Sequence, residues 1–208
     1  MSQEEIINFS QLRAEPSWLQ EYRLSAFKKI DQLALPNIER VKFHRWNLGD
    51  GTLAENEAIA NVPDFTALGD NPKLVQVGTQ TLLEQLPSDL IEQGVVFTDL
   101  ATALEEIPEV VEKHFATALA PDEDKLAAYH YAHFNSCAVL YVPDNVEVAK
   151  PLEGIFLQDS DSAVPFNKHV LIIAGRNSKF SYLERFESIG GESASATANI
   201  SVEVIAHA

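Results

Sequence analysis

The chain has 208 residues, 46% of them hydrophobic, and a formal net charge of −16. It can bury a sizeable core, but a surface this acidic repels phosphate backbones and anionic lipid, which argues against nucleic acid and membrane as partners. Its one cysteine, Cys137, excludes an internal disulfide framework and a four-cysteine metal site.

The N-terminus, Met1-Ser2-Gln3-Glu4-Glu5, is acidic and lacks the basic start of a signal peptide. No apolar run is long enough to span a bilayer, so a soluble, cytoplasmic protein is expected. Pro16 suits the first turn of a helix. Trp18, Tyr22, Ala26 and Ile30 then recur at helical spacing, with Leu19, Phe27 and Leu33 beside them, and Leu35-Pro36 ends the segment. Val41–Ala67 is less patterned. Lys42, His44 and Arg45 flank Phe43 and Trp46 before a turn at Gly49-Asp50-Gly51, and an extended path is expected there, with no site.

Lys73–Val77 reads as a short strand. Leu82, Leu83 and Leu86 suggest a turn of helix before Pro87, and Gly94-Val95-Val96-Phe97 a further strand. Thr98 or Asp99 can cap the helix that carries Leu100, Ala101 and Leu104. Pro108 restarts it, with Val110, Val111, His114 and Phe115 on one face. Pro121 is expected in the opening turn of another helix, capped by Asp122 or Asp124 and bearing Leu126, Tyr129, His130 and His133. Glu105, Glu106, Glu109 and Glu112 read as a solvated face rather than an acid/base pair.

After Phe134 the residues change to Val, Ile, Phe and Tyr. Cys137–Val142, Val146–Val148, Pro151–Leu157, His169–Ala174, Lys179–Phe186 and Ala198–Ala206 read as short strands. Ile200, Val202 and Val204 alternate with Ser201 and Glu203. Ser188–Ala198 is a Gly/Ser/Ala-rich connection, and no Asn-Gly or Asp-Gly hairpin joins these strands. Parallel stacking, as in a β-helix, is therefore favoured. The chain stops inside a strand pattern at Val202–Ala208 with no capping element, which suggests a fragment of something longer, or an end protected by a second copy.

Motifs for catalysis are few. His130, His133 and Cys137 form an H-x-x-H-x-x-x-C series of metal-ligand types, but Phe134-Asn135-Ser136 reads as the end of the helix, so Cys137 starts a strand. The chain contains no Gly-x-Ser-x-Gly elbow, no phosphate-binding Gly-x-x-x-x-Gly-Lys-Ser/Thr loop and no Gly-x-Gly-x-x-Gly fingerprint. No catalytic, cofactor-binding or metal-ligating residue is assigned, and the chain is not expected to be an enzyme.

Glu15-Pro16-Ser17-Trp18-Leu19, with Arg23, Ala26-Phe27 and Leu35-Pro36, resembles the opening of the SufB/SufD family of iron–sulfur cluster assembly proteins. Gly94–Leu100 with Ala103-Leu104 is similar to the segment before that family's core. The match continues through Phe134–Val148, Pro151-Leu152, Ile155-Phe156, His169–Ile173 and Tyr182-Leu183-Glu184. The N-terminal region looks more like SufD than SufB.

The resemblance implies an α+β chain: a mainly helical N-terminal domain over residues 1–126, followed over 127–208 by the first turns of a right-handed parallel β-helix. It implies a non-catalytic scaffold subunit that pairs with SufB-like and SufC-like proteins, or with a second copy through the β-helix edge. The SufC partner hydrolyses the ATP, and the full complex, not this chain, handles the iron–sulfur cluster. The family's functional histidine and cysteine belong to later turns with no counterpart here, and Cys137 does not match that cysteine. Two other classes stay open: a small metal-dependent cupin-like enzyme using His130, His133 and another ligand, and a carbohydrate-active β-helix protein, for which neither an export signal nor a groove pattern is present.

Overall fold

A computed structural model describes residues 2–45, 52–56, 58–59, 62–65, 68–191 and 198–207. Trp46 and the Gly49-Asp50-Gly51 turn lie outside the described residues, as do 192–197 of the Ser188–Ala198 connection.

The acidic N-terminus builds a helix. In α1 (Gln3–Leu12), the Ser2 hydroxyl accepts from the Glu5 N–H while the Glu5 carboxylate accepts from the Ser2 N–H, a reciprocal capping box. In α2 (Ser17–Lys29), Leu19 and Ala26 are fully buried, and Trp18, Tyr22, Phe27 and Ile30 pack against the same cluster. The helix ends at Lys29, before the expected Leu35-Pro36.

Among the described residues a 3-10 turn (Phe43–Arg45) and then twelve further helices and strands carry the chain forward from there. The twelve are β1 (Lys73–Val77), β2 (Gln80–Gln85), α3 (Ser88–Glu92), β3 (Val96–Asp99), α4 (Leu100–Glu106) and α5 (Pro108–His114), then α6 (Lys125–His133), β4 (Ser136–Val142), β5 (Leu152–Asp159), β6 (Phe166–Ala174), β7 (Tyr182–Ile189) and β8 (Ala198–Ala206). Asp99 caps α4 by accepting from the Thr102 N–H, and Asp124 caps α6 by accepting from the Ala127 N–H. Pro121 stands before that cap, outside the helix.

Two sequence readings change locally. Residues 80–85 form a strand, not a helical turn. Gly78, at φ +55°, opens a tight turn that folds β2 back on β1, and a ladder satisfies more backbone groups than one isolated turn of helix. A register shift between Val75 and Gln76 leaves Leu82 unpaired, so the alternation is broken and both Leu82 and Leu83 join one cluster. Val146–Val148 forms only a single bridge, Glu147 to Lys179, not a strand.

The strands form two four-stranded sheets, ordered β2-β1-β5-β7 and β3-β4-β6-β8. The β1–β5, β5–β7, β4–β6 and β6–β8 ladders are parallel, whereas β1–β2 and β3–β4 are antiparallel. This corrects the expectation of a mainly helical N-terminal domain leading into the first turns of a right-handed parallel β-helix. The fold is α+β with two open, mixed sheets. Strands β1, β2 and β3 interrupt the helices of the N-terminal region and join these sheets, and the tight turn after β1 forces its neighbour to run antiparallel.

The sheets pack face to face through Leu74, Leu152 and Phe156 on one side and Ala138, Leu140, Val142, Val170 and Ile172 on the other. The opposite face of the second sheet presents Cys137, Val139, Leu171 and Ile173 to α2, α4, α5 and α6. Central strands β4 and β6 are buried on both faces, which explains their nearly continuous apolar runs.

Candidate functional site

Helix α6 turns one face into the second sheet, and residues 127–133 are all buried. His130 Nε2 lies 2.9 Å from His169 Nδ1 on β6, and His130 Nδ1 lies 2.8 Å from Asn199 Oδ1 on β8. His169 Nε2 stands 3.2 Å from Glu203 Oε2, an ion-pair distance with poor hydrogen-bond alignment. The Glu203 carboxylate accepts from three backbone N–H groups in the turn after α5: Ala116 at 2.8 Å, Ala118 at 2.9 Å and Leu119 at 3.0 Å.

Electrostatics follow from this packing. Burial, and then the neighbouring His169, pull His130 down to about 3. Burial likewise lowers His169 against the opposing pull of Glu203. Burial would raise Glu203, but His169 and the backbone N–H groups outweigh it and hold the carboxyl below its ordinary value. The cluster thus fastens α6, the turn after α5 and the edge strand β8 together.

A second polar junction ties the N-terminal helices to the start of β4. Arg23 grips Glu15 with two bonds, at 2.8 and 2.7 Å, and donates to Phe134 O at 2.8 Å. Its guanidinium lies 3.7 Å from the centroid of the Phe134 ring. Burial would raise Glu15, but Arg23 overrides it and holds the carboxyl low. Arg13 donates to Asn135 O at 2.6 Å beside it.

Between the sheets, Lys168 Nζ donates to Gln76 Oε1 and, at 3.2 Å, to Ser136 Oγ, and lies 4.0 Å from the Phe156 ring centroid. Burial pulls this lysine down to about 7.

The H-x-x-H-x-x-x-C series is dispersed. His130 faces His169, while His133 donates from Nδ1 to Tyr129 O at 2.7 Å and stacks on the Tyr129 ring. The helix ends at Phe134, so Cys137 sits on β4, buried, with Sγ 3.7 Å from Ala138 O. Burial pushes its thiol up to about 12, which makes it a poor nucleophile. Among the described residues no group of three or more His, Cys, Asp or Glu is arranged to hold a metal. Glu105, Glu106, Glu109 and Glu112 are exposed.

Sequence reading gave no site role to Glu15, Arg23, Lys168, His169 or Glu203. A signal was available for two of them, because Lys168 and His169 immediately precede the apolar run Val170–Ala174 of β6.

One surface stands out. Ile200, Val202 and Val204 on β8 are 40%, 44% and 58% exposed, and Leu183 and Phe186 on β7 are also exposed. Ile200, Val202 and Val204 pair in register with Lys168, Val170 and Ile172, whose face is buried between the sheets. The inter-sheet apolar layer therefore continues onto β8, and onto β7 at Phe186, which pairs with Phe156, and is uncovered there, whereas Leu183 pairs with Glu153 and lies on the opposite face of β7.

Residues 71–153 match the family described as the SufBD protein N-terminal region. The chain is 34% identical over 200 residues to the iron–sulfur cluster assembly protein SufD of Bacillus subtilis, covering 90% of this chain and 46% of that protein. It is 22% identical over 202 residues to SufB of the same organism, covering 88% of this chain and 43% of SufB. A SufBD family iron–sulfur cluster assembly protein of Mycobacterium tuberculosis is 25% identical over 203 residues, covering 88% of this chain and 24% of that protein. The chain thus spans about half the length of the two Bacillus subtilis relatives.

Proposed function

Because this chain belongs to the SufB/SufD family, with greater identity to SufD than to SufB among the relatives compared, we propose that it is a non-catalytic scaffold component of the SUF iron–sulfur cluster assembly machinery. In this reading it acts in the cytoplasm beside a SufB-like subunit and a SufC-like ATPase. No helix among the described residues is long and apolar enough to cross a membrane.

The observation that carries the reading is the 34% identity to SufD, which extends over nine-tenths of the chain. The interior is consistent with a scaffold. Its buried polar groups are spent on joining elements: Arg23 joins α2 to the start of β4, and Glu203 joins β8 to the turn after α5. The exposed apolar row on β7 and β8 supplies surface of the kind that protein contacts bury. The cupin-like alternative draws no support from the fold, since its sheets are open and the β4–β6–β8 ladder is parallel.

The test is co-purification of the tagged protein, in its longest natural form, with the SufB-like and SufC-like proteins of its source organism. A stoichiometric complex is expected. Failure to retain either partner overturns the scaffold reading.

A further inference from the structure

We propose that His114 and His207 form a two-histidine site for a divalent transition cation of the Cu2+, Ni2+ or Zn2+ class, independent of the cluster-assembly reading. His114 closes α5, and His207 follows β8. Their Nε2 atoms are 2.9 Å apart, with ring planes at 71°.

The backbone sets both rings in place. His114 Nδ1 donates its hydrogen to Val110 O at 2.8 Å, which fixes the tautomer and leaves the Nε2 lone pair directed at His207 Nε2. This is the outer contact that metal-binding histidines ordinarily make. The His207 N–H donates to Ala174 O at 2.9 Å, continuing the ladder and holding that residue at the sheet edge.

The 2.9 Å contact is a hydrogen bond in which His207 Nε2–H donates to His114 Nε2, so a cation would bind in place of that shared proton. Two metal–nitrogen bonds of about 2.05 Å meeting at about 90° place their nitrogens about 2.9 Å apart. That is the spacing found, and it suits cis positions on a square-planar or octahedral ion. A tetrahedral ion needs the pair opened to about 3.3 Å, a small movement for an exposed side chain at a strand end.

The pair lines a groove of about 600 Å³, wide enough for water to complete the coordination sphere. Glu109 and Asp144 also line it, with Lys113 and Arg176 opposing their charge. Asp144 pairs with Arg176 at 3.0 Å, and among the described residues no third His, Cys, Asp or Glu is placed to join the two imidazoles as a ligand. The net charge of −16 raises the local concentration of cations around the whole molecule.

The test uses tag-free protein treated with chelator and then titrated calorimetrically with Cu2+ and Ni2+, with electron paramagnetic resonance of the Cu2+ form. One equivalent per chain and hyperfine coupling from two imidazole nitrogens are expected. His207 is exposed, so His207→Ala leaves the fold intact. That variant is expected to bind more than about tenfold more weakly and to show coupling from one nitrogen. His114→Gln gives a second check, with circular dichroism confirming that it folds. Absence of saturable binding, or an affinity and nitrogen count unchanged in His207→Ala, overturns the proposal.

Discussion

Asn177 stacks on Asn145, 32 residues earlier in the chain: both hold positive φ, 56° and 62°, and the side chain of Asn177 donates to that of Asn145 at 3.2 Å. The same spacing pairs Arg176 with Asp144 at 3.0 Å and Lys179 with Glu147 at 3.4 Å. The connections that follow β4 and β6 are thus copies of one left-handed corner, and asparagine tolerates that conformation better than other residues with a side chain.

The corner predicts an ordered mutational series. Asn177→Gly should stay within about 0.5 kcal/mol of the parent, whereas Asn177→Ala should lose about 1 kcal/mol. Gly175→Ala should cost about 1–3 kcal/mol, because a Cβ there would run into the backbone of Pro143 and Asp144. Urea midpoints measure all three, and equal midpoints would show that the stacked corner does not contribute to stability.

Arg23 is expected to resist even conservative replacement. It is fully buried, and Arg23→Ala strands the Glu15 carboxylate and the Phe134 carbonyl, at a cost of about 3–5 kcal/mol. Lysine cannot reproduce the two-pronged grip on Glu15, so Arg23→Lys should recover less than half of that loss in equilibrium unfolding.

On the acid side stability should fall. His130 is held near 3 in the folded protein against 6.5 ordinarily, so the unfolded chain takes up a proton in that window and the native chain does not. Its contribution is complete above about pH 6.5 and is lost on acidification at up to about 1.4 kcal/mol per pH unit. Glu203, held below its ordinary 4.5, acts in the same direction, losing its contribution as pH falls through its folded value. Denaturation midpoints across this range test the effect, and His130→Gln should give a shallower slope.

Lys168 predicts an unusual alkaline trend. Its folded value is about 7 against 10.5 ordinarily, so the unfolded chain binds the extra proton between those limits. Stability should therefore rise with pH through that window, by up to about 1.4 kcal/mol per unit. Lys168→Met should abolish the rise, and a parent protein with equal urea midpoints at about pH 7 and about pH 9 would contradict the prediction.

Much of the local structure was legible in the sequence. The Trp18–Tyr22–Ala26 stripe marked α2, the pair Thr98 and Asp99 marked the start of α4, which Asp99 caps, and the strand pattern at Ala198–Ala206 coincides with β8. Sidedness was harder to read. The alternation of Val202, Glu203 and Val204 is real, but it is the valines that are exposed, whereas Glu203 is 1% exposed. β8 is an edge strand whose inter-sheet face is uncovered, and the turn after α5 supplies the N–H groups that draw Glu203 inward. Such contacts join residues more than 80 positions apart, and no local period encodes them. The bulge hid β2 for a related reason, because it broke the two-residue rhythm by which strands are recognised.

The 32-residue spacing also dictates which changes in chain length the molecule can absorb. Removing a single residue between Asn145 and Asn177 leaves two options: a neighbouring connection reshapes to take up the slack, or every downstream side chain on that ladder swaps faces.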